Sequence, residues 1–246
     1  MEVVTMVLND NNVITVRDLS VTYHSRPKGF KRKGSNKDVQ ALKNISFRLK
    51  KGEIVAILGR NGSGKTTLLQ AIAGGIKPES GSIHTEGRVY TLRGADPGLV
   101  RHISARENVK MMSSIYGISE EERESFEDGV EEFCELGDAY DRDFSTLSSG
   151  MAGRVGFGFT TSLKPEILLM DETLGVGDVV FRKKAEKKSL EFMERGETIL
   201  LSTHSLNLAK TICRRGLVLE EGELIFDGPS EEAVAKYLEI IETISN

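Results

Sequence analysis

The sequence predicts an α/β domain built on a mostly parallel sheet with both faces covered. Three short, mainly apolar runs, 54–58, 167–170 and 198–202, are separated by long stretches of helical pattern, as expected of buried parallel strands joined by helices. The first of them leads through a glycine-rich loop into a helix, which is the first half of a βαβ unit. All three runs end in loops rich in charged or hydroxyl side chains, and in open parallel sheets ligands gather at the carboxyl ends of the strands.

The elements follow in order. Val13 to Val21 alternates and is rich in Val, Ile and Thr, so it predicts a strand, which Tyr23 closes. From His24 to Asp38 the texture changes to HSRPKGFKRKGSNKD, with Arg26, Lys28, Lys31, Arg32, Lys33 and Lys37 against one acid, which predicts a surface loop. Ile45 to Leu49 alternates as a second strand, Lys51-Gly52 makes a turn, and Ile54 to Leu58 is the first buried strand. A helix is predicted from Gly64 or Lys65 to about Ala73. Between Ser104 and Tyr140 the pattern is helical, and Glu120 to Asp143 carries dense acids offset only by Arg123 and Arg142, which suggests a separate helical lobe. Ile167 to Met170 runs into Asp171-Glu172, and Thr198 to Ser202 into Thr203-His204. Leu217–Leu219 and Leu224–Phe226 flank Glu221-Gly222 as a hairpin, and Glu231 to Ile241 predicts a closing helix. There is no internal repeat.

Composition excludes several classes. At 246 residues, with 28% charged and 39% hydrophobic residues, 25 Gly and 5 Pro, the chain is long enough to bury a core and is neither disordered nor collagenous. No apolar run reaches the roughly 18 residues of a spanning helix, and MEVVTMVLND lacks the pattern of a secretory signal, so a cytoplasmic location is expected. Cys134 and Cys213 have no metal-ligand spacing and read as buried thiols. Thirty-three Lys and Arg against 37 Asp and Glu give a net charge of −4, with no general attraction for nucleic acid.

Residues 59 to 66, GRNGSGKT, match the phosphate-loop pattern G-x-x-x-x-G-K-[ST] between a predicted strand and a predicted helix. Gly59, Gly62 and Gly64 let successive N–H groups turn inward to make a nest for phosphate oxygens at a helix N-terminus. Lys65 places a charge on the terminal phosphates, and the Thr66 hydroxyl can ligate Mg²⁺. A second anchor for the hydrated metal is Asp171, at the end of ILLMD, while adjacent Glu172 can reach an attacking water. His204, after TILLST, is placed to contact the terminal phosphate. These residues predict binding of a nucleoside triphosphate.

Between these motifs lies LSSGMAGRVGFG, Leu147 to Gly158. It resembles the signature of ATP-binding cassette (ABC) ATPases, with Leu147, Ser148, Ser149, Gly150 and Met151 where that family usually shows L-S-G-G-Q. The resemblance covers nearly the whole chain in order. It implies that Tyr23 stacks on adenine, that Gly59, Arg60, Asn61, Gly62, Ser63, Gly64, Lys65, Thr66 and Thr67 form the phosphate loop, and that Asp171 and Glu172 serve as metal ligand and catalytic base. Asp178 then matches a dimer-contact loop and His204 a switch histidine. The spellings SSGM with R-x-GF, and DETLGVGDVVFRKK, are similar to those of ATPases that drive bacterial export of capsular polysaccharide, O-antigen and teichoic acid. That likeness implies an ABC fold with a mostly parallel core sheet, an N-terminal antiparallel β subdomain and a helical lobe at about 99–160, the basic segment 24–39 being an insertion. It further implies ATP and Mg²⁺ as cofactors, and a homodimer in which Ser148 and Gly150 of one copy cover the γ-phosphate held by another. The expected partner is a transmembrane permease subunit moving polysaccharide or lipid-linked glycan, with this chain at the cytoplasmic face of the inner membrane.

Two departures stand out. The family places a Gln in the loop entering the helical lobe, here the stretch Leu92 to Gly98, yet the only glutamines are Gln40 and Gln70. The chain also ends at Asn246, soon after the core, which favours a capsule-type or minimal exporter over relatives with a further C-terminal domain. Other features keep two readings. The basic segment is either a solvated insertion or an attractor for anionic lipid headgroups or glycan phosphate. The acidic stretch is either a solvated face or a frame for a partner's helix. Arg60 and Asn61 are expected to have free side chains. The alternatives to polysaccharide export are another ABC transporter and, from a different class, a soluble ABC ATPase acting on DNA or the ribosome.

Overall fold

The computed structural model describes residues 11–24, 38–93, 98–163, 165–171, 181, 184, 187–188, 191 and 197–245. Two sheets form its centre. Strands β1 (Asn12–Tyr23), β2 (Val39–Lys50) and β4 (Ser80–Thr85) make an antiparallel sheet in the order β2-β1-β4. The second sheet runs β5-β6-β7-β3-β8-β9, built from β3 (Ile54–Leu58), β5 (Val89–Arg93), β6 (Ile167–Asp171), β7 (Thr198–Ser202), β8 (Arg215–Glu220) and β9 (Glu223–Pro229). The first five are parallel, and β9 returns antiparallel to β8 through the predicted hairpin. The predicted strand at 45–49 is longer, because residues from Val39 onward also pair with β1.

Alternation along the parallel strands explains why their runs are apolar throughout. Val55, Ile57, Ile167, Leu169, Leu200 and Leu217 face one cluster, shared with the antiparallel sheet and helix α1 (Lys65–Ile72). Ala56, Leu58, Leu168, Met170, Ile199, Leu201 and Val218 face a second, closed by α5 (Leu206–Ile212) and α6 (Ser230–Ser245). With neither face wet, no position has to be polar.

Strands β4 and β5 are not predicted by the sequence pattern. SGSIHT is exposed or half-buried along its length, so the polar residues that suit this edge strand erase the signal. VYTLR is an edge strand of the second sheet, paired on β6 from Val89↔Ile167 to Arg93↔Asp171. Its last two residues, Leu92 and Arg93, begin the stretch read as the linker into the helical lobe, of which residues 94–97 lie outside the described residues. Residues 25–37 of the basic segment lie outside them too. Its neck is described: His24 Nδ1 and Asp38 Oδ2 are 3.0 Å apart.

Helices α2 (Ala105–Ile115), α3 (Glu120–Cys134) and α4 (Ser149–Ser162) share a third cluster running from Leu99 to Leu163. Ser104 opens α2 with a capping box, its hydroxyl accepting from Glu107 N–H while Glu107 accepts from Ser104 N–H. Helix α4 ties this cluster to the sheet: Val155 and Phe159 point into the lobe, while Phe157 packs under β6 and stacks on Phe133 at 5.7 Å. Both cysteines are buried, and burial pushes each thiol up to about 12, so they are inert packing groups. Among the described residues no helix is long and apolar enough to cross a membrane.

Asn108 holds the start of the lobe in place. Fully buried, it accepts from Val100 N–H at 2.6 Å and donates to the Val100 and Ser104 carbonyls at 2.8 and 3.0 Å. Asn108→Ala leaves those backbone groups unpaired and costs about 2 kcal/mol, a fall in Tm of about 4–8 °C for a chain of this size. Differential scanning calorimetry measures it, and an unchanged Tm would show that the latch carries no stability.

Candidate nucleotide-binding site

The loop from Gly59 to Gly64 joins the C-terminal end of β3 to α1. Its glycines are required by position as well as by pattern. Gly64, the N-cap of α1, has φ +107°, and a Cβ there would meet the Ala41 carbonyl at 2.6 Å. No side chain caps this helix and no acid sits in its first turn, so its leading N–H groups and the positive end of its dipole are left for an anion.

Lys65 is 7% exposed and folds back over the loop, donating to the carbonyls of Gly59 at 2.6 Å and Arg60 at 3.0 Å. Desolvation lowers its pKa, opposed by the negative charges of Asp171 and Glu220. The ammonium is thus held by two neutral acceptors, which it can exchange for a stronger, charged one. Ser63 Oγ is buried without a hydrogen-bond partner among the described residues.

Beside the loop opens a cleft of about 470 Å³, lined by Tyr23, Gly62, Gly64, Lys65, Thr66 and Thr67 on one side. Val39, Gln40, Ala41 and Lys43 of β2 and the Glu221-Gly222 turn complete it. Tyr23 is 45% exposed, its hydroxyl 3.3 Å from Thr67 Oγ1, which leaves an aromatic surface at the rim of the cleft. The contributions of β2 and of the turn were not foreseen from the sequence. They depend on long-range pairing: Lys43 N–H donates to the Gly222 carbonyl at 2.8 Å, and Gly222 N–H to that of Ser63 at 3.0 Å.

On the other side of Thr66 a smaller cavity of about 270 Å³ is lined by Thr66, Gln70, Thr91 and Asp171. A hydroxyl and a carboxylate converge there from α1 and the end of β6. No cluster of three or more His, Cys, Asp or Glu is present among the described residues. One carboxylate with one hydroxyl suits a hard cation that keeps waters and phosphate oxygens as its other ligands, as Mg²⁺ does. The sequence motifs do not single out Gln70, although its i+4 spacing from Thr66 puts both on one helix face.

His204 follows β7, which pairs directly with β3. Its pKa is lowered by desolvation and by the Lys65 cation, with Asp171 acting oppositely, which favours the neutral imidazole. Arg60 departs from expectation: its side chain is not free but lies 3.6 Å from Glu220. Glu172 and Asp178 lie outside the described residues.

Ser148, Ser149 and Gly150 are at a separate place. Ser148 caps α4, accepting from Met151 N–H at 3.2 Å, and Ser148 and Ser149 are exposed. None of the three lines either cavity at the phosphate loop.

A mostly parallel sheet, a glycine loop with a folded-back lysine, and a hydroxyl–carboxylate pair brought together from α1 and the end of β6 define a phosphate-loop nucleotide-binding protein. The particular family follows from comparison: the ABC transporter family matches residues 42–175, and the chain belongs to it. The teichoic acids export ATP-binding protein TagH of Lactococcus lactis subsp. lactis (strain IL1403) is 38% identical over 85% of this chain. The chain spans only 46% of that relative's length. The O-antigen export system ATP-binding protein RfbE of Yersinia enterocolitica is 41% identical over 77% of this chain and 79% of its own. Among solved structures, an ATP binding subunit of an ABC transporter superposes with a TM-score of 0.76, covering 92% of this chain and 93% of that one at 24% identity.

Proposed function

We propose that this chain is the ATP-binding and ATP-hydrolysing subunit of a bacterial ABC exporter of polysaccharide or lipid-linked glycan, of capsule or O-antigen type, powering a separate transmembrane subunit. The observation that carries the ATPase reading is the pair of cavities meeting at Thr66, one running to Tyr23 and one to Asp171. They give a base, a triphosphate and a metal three adjoining places. The names of the relatives, teichoic acids export and O-antigen export, support the cargo class.

In this reading Tyr23 stacks on adenine, and the N–H groups from Gly59 through Thr67 hold the phosphates. Lys65 leaves its two carbonyls for the terminal phosphates. Thr66 and Asp171 would hold Mg²⁺, which when bound offsets charge on the transferring phosphoryl group. Glu172 takes a proton from the attacking water, and neutral His204 orients the terminal phosphate. The exposed N-terminus of α4, with Ser148, Ser149 and Gly150, completes the site of a second copy, with Asp178 at the contact between copies. An isologous pair of chains therefore carries two sites. Residues 1–246 form one nucleotide-binding domain with a helical lobe at about 99–160 and an insertion at 24–39, resting on the cytoplasmic face of the inner membrane. The alternatives are another ABC transporter ATPase or, less well supported given the acidic net charge, a nucleic-acid or ribosome ATPase.

The test is made in the source cell. Lys65→Ala should abolish surface polysaccharide while lipid-linked glycan accumulates inside, measured by extraction of both pools. Undiminished surface glycan would overturn the assignment, and recovery of the chain with RNA instead of membranes would favour the nucleic-acid class.

A further inference from the structure

The phosphate loop rests on the end of β8. Gly59 lies so near this strand that a Cβ on it would sit 2.4 Å from the Leu219 carbonyl and 2.4 Å from Ser63 Oγ. Gly222 N–H, just past the strand, donates to the Ser63 carbonyl at 3.0 Å. Between these two contacts Glu220 Oε1 faces Arg60 Nη1 at 3.6 Å, with the glutamate side chain 19% exposed. Its other oxygen, Oε2, is buried and accepts no hydrogen bond from any described residue. A carboxylate oxygen buried without a donor is unfavourable by itself. What offsets it here is positive charge: the Arg60 guanidinium of the loop at 3.6 Å and the ammonium of Lys65, at the start of α1, on which the charge of Glu220 acts. The attraction acts across the contact between the loop and the end of β8.

We propose that Glu220 is a positioning residue for the phosphate loop: it fixes Arg60 and the first turn of the loop against β8, so that the cradle is formed before phosphate arrives. This rests on the reading that the loop holds the phosphates of ATP. The proposal has a definite sign. As a mere negative charge near the site, Glu220 would repel the triphosphate, and its neutralisation would tighten binding. As a positioning residue, its loss frees the loop, whose ordering is then charged against binding. Arg60 acts through the same contact, so the two losses must not add.

The experiment titrates the full chain with a fluorescent ATP analogue and Mg²⁺, for wild type, Glu220→Gln, Arg60→Ala, the double variant and Lys65→Ala. Each single variant should weaken affinity about fivefold, the scale of a partly buried ion pair. The double variant should be no weaker than the weaker single one, and melting temperatures without nucleotide should stay within about 2 °C of wild type, less than about 1 kcal/mol would cause. Wild-type or tighter affinity for Glu220→Gln overturns the proposal, whether or not that variant melts early. So do effects that multiply in the double variant. If Lys65→Ala itself binds like wild type, the phosphate reading fails; if it loses binding while Glu220→Gln keeps it, only the positioning role fails.

Discussion

Lys65→Ala should lower the affinity of the isolated chain for MgATP by about 100-fold, since a charge-assisted bond to phosphate in a water-poor site contributes about 1.5–3 kcal/mol. The structure explains why Arg60 does not substitute. Lys65 is the buried cation of the loop, and its hydrogen bonds go to the Gly59 and Arg60 carbonyls. Arg60 is the other cation of the loop, but it is turned toward Glu220. The desolvation that lowers the lysine's pKa is offset by the negative charge of a bound polyanion, which favours the charged ammonium. Titration with a fluorescent nucleotide gives the number directly. An affinity within threefold of wild type would mean that the loop does not hold the phosphates.

Ser148→Asp should leave that affinity unchanged and lower hydrolysis by about 100-fold, the scale on which one group aimed at a developing negative charge acts. Aspartate is as good an N-cap as serine, so α4 should keep its first turn and the Ser148–Met151 cap is replaced in kind. What changes is the charge on an exposed helix N-terminus that lines neither cavity of its own chain. If that terminus completes the site of a second copy, a carboxylate there repels the γ-phosphate and blocks closure. Steady-state phosphate release against nucleotide affinity separates the two effects. Equal loss of both would place Ser148 in its own chain's site.

How far the sequence discloses this site depends on how local each part is. The phosphate loop is contiguous, and its glycines and lysine can be read because the nest is built from backbone within eight residues. The strand ends that carry Asp171 and His204 are legible too, since buried parallel strands are apolar throughout and the first polar residue marks their end. The cleft wall from Val39 to Lys43 and the Glu221-Gly222 turn was not legible. It exists only because the β8–β9 hairpin hydrogen-bonds to β2 and to Ser63. For the same reason Arg60 seemed unoccupied: its partner, Glu220, is remote in sequence. The polar edge strand β4 was missed because a strand wet on most of its length has no hydrophobic period to read. That the signature helix lines neither cavity of its own chain agrees with what the family resemblance implied, though no spacing of residues by itself would show it.

The central claim is that one chain holds half of each working site. Size-exclusion chromatography with light scattering on Glu172→Gln, with and without MgATP, tests it most directly, because if Glu172 is the proposed base the variant binds nucleotide without hydrolysing it and traps the assembled state. A single-chain mass is expected without nucleotide and twice that mass with MgATP. A mass that stays at one chain while the nucleotide is bound to saturation would contradict it.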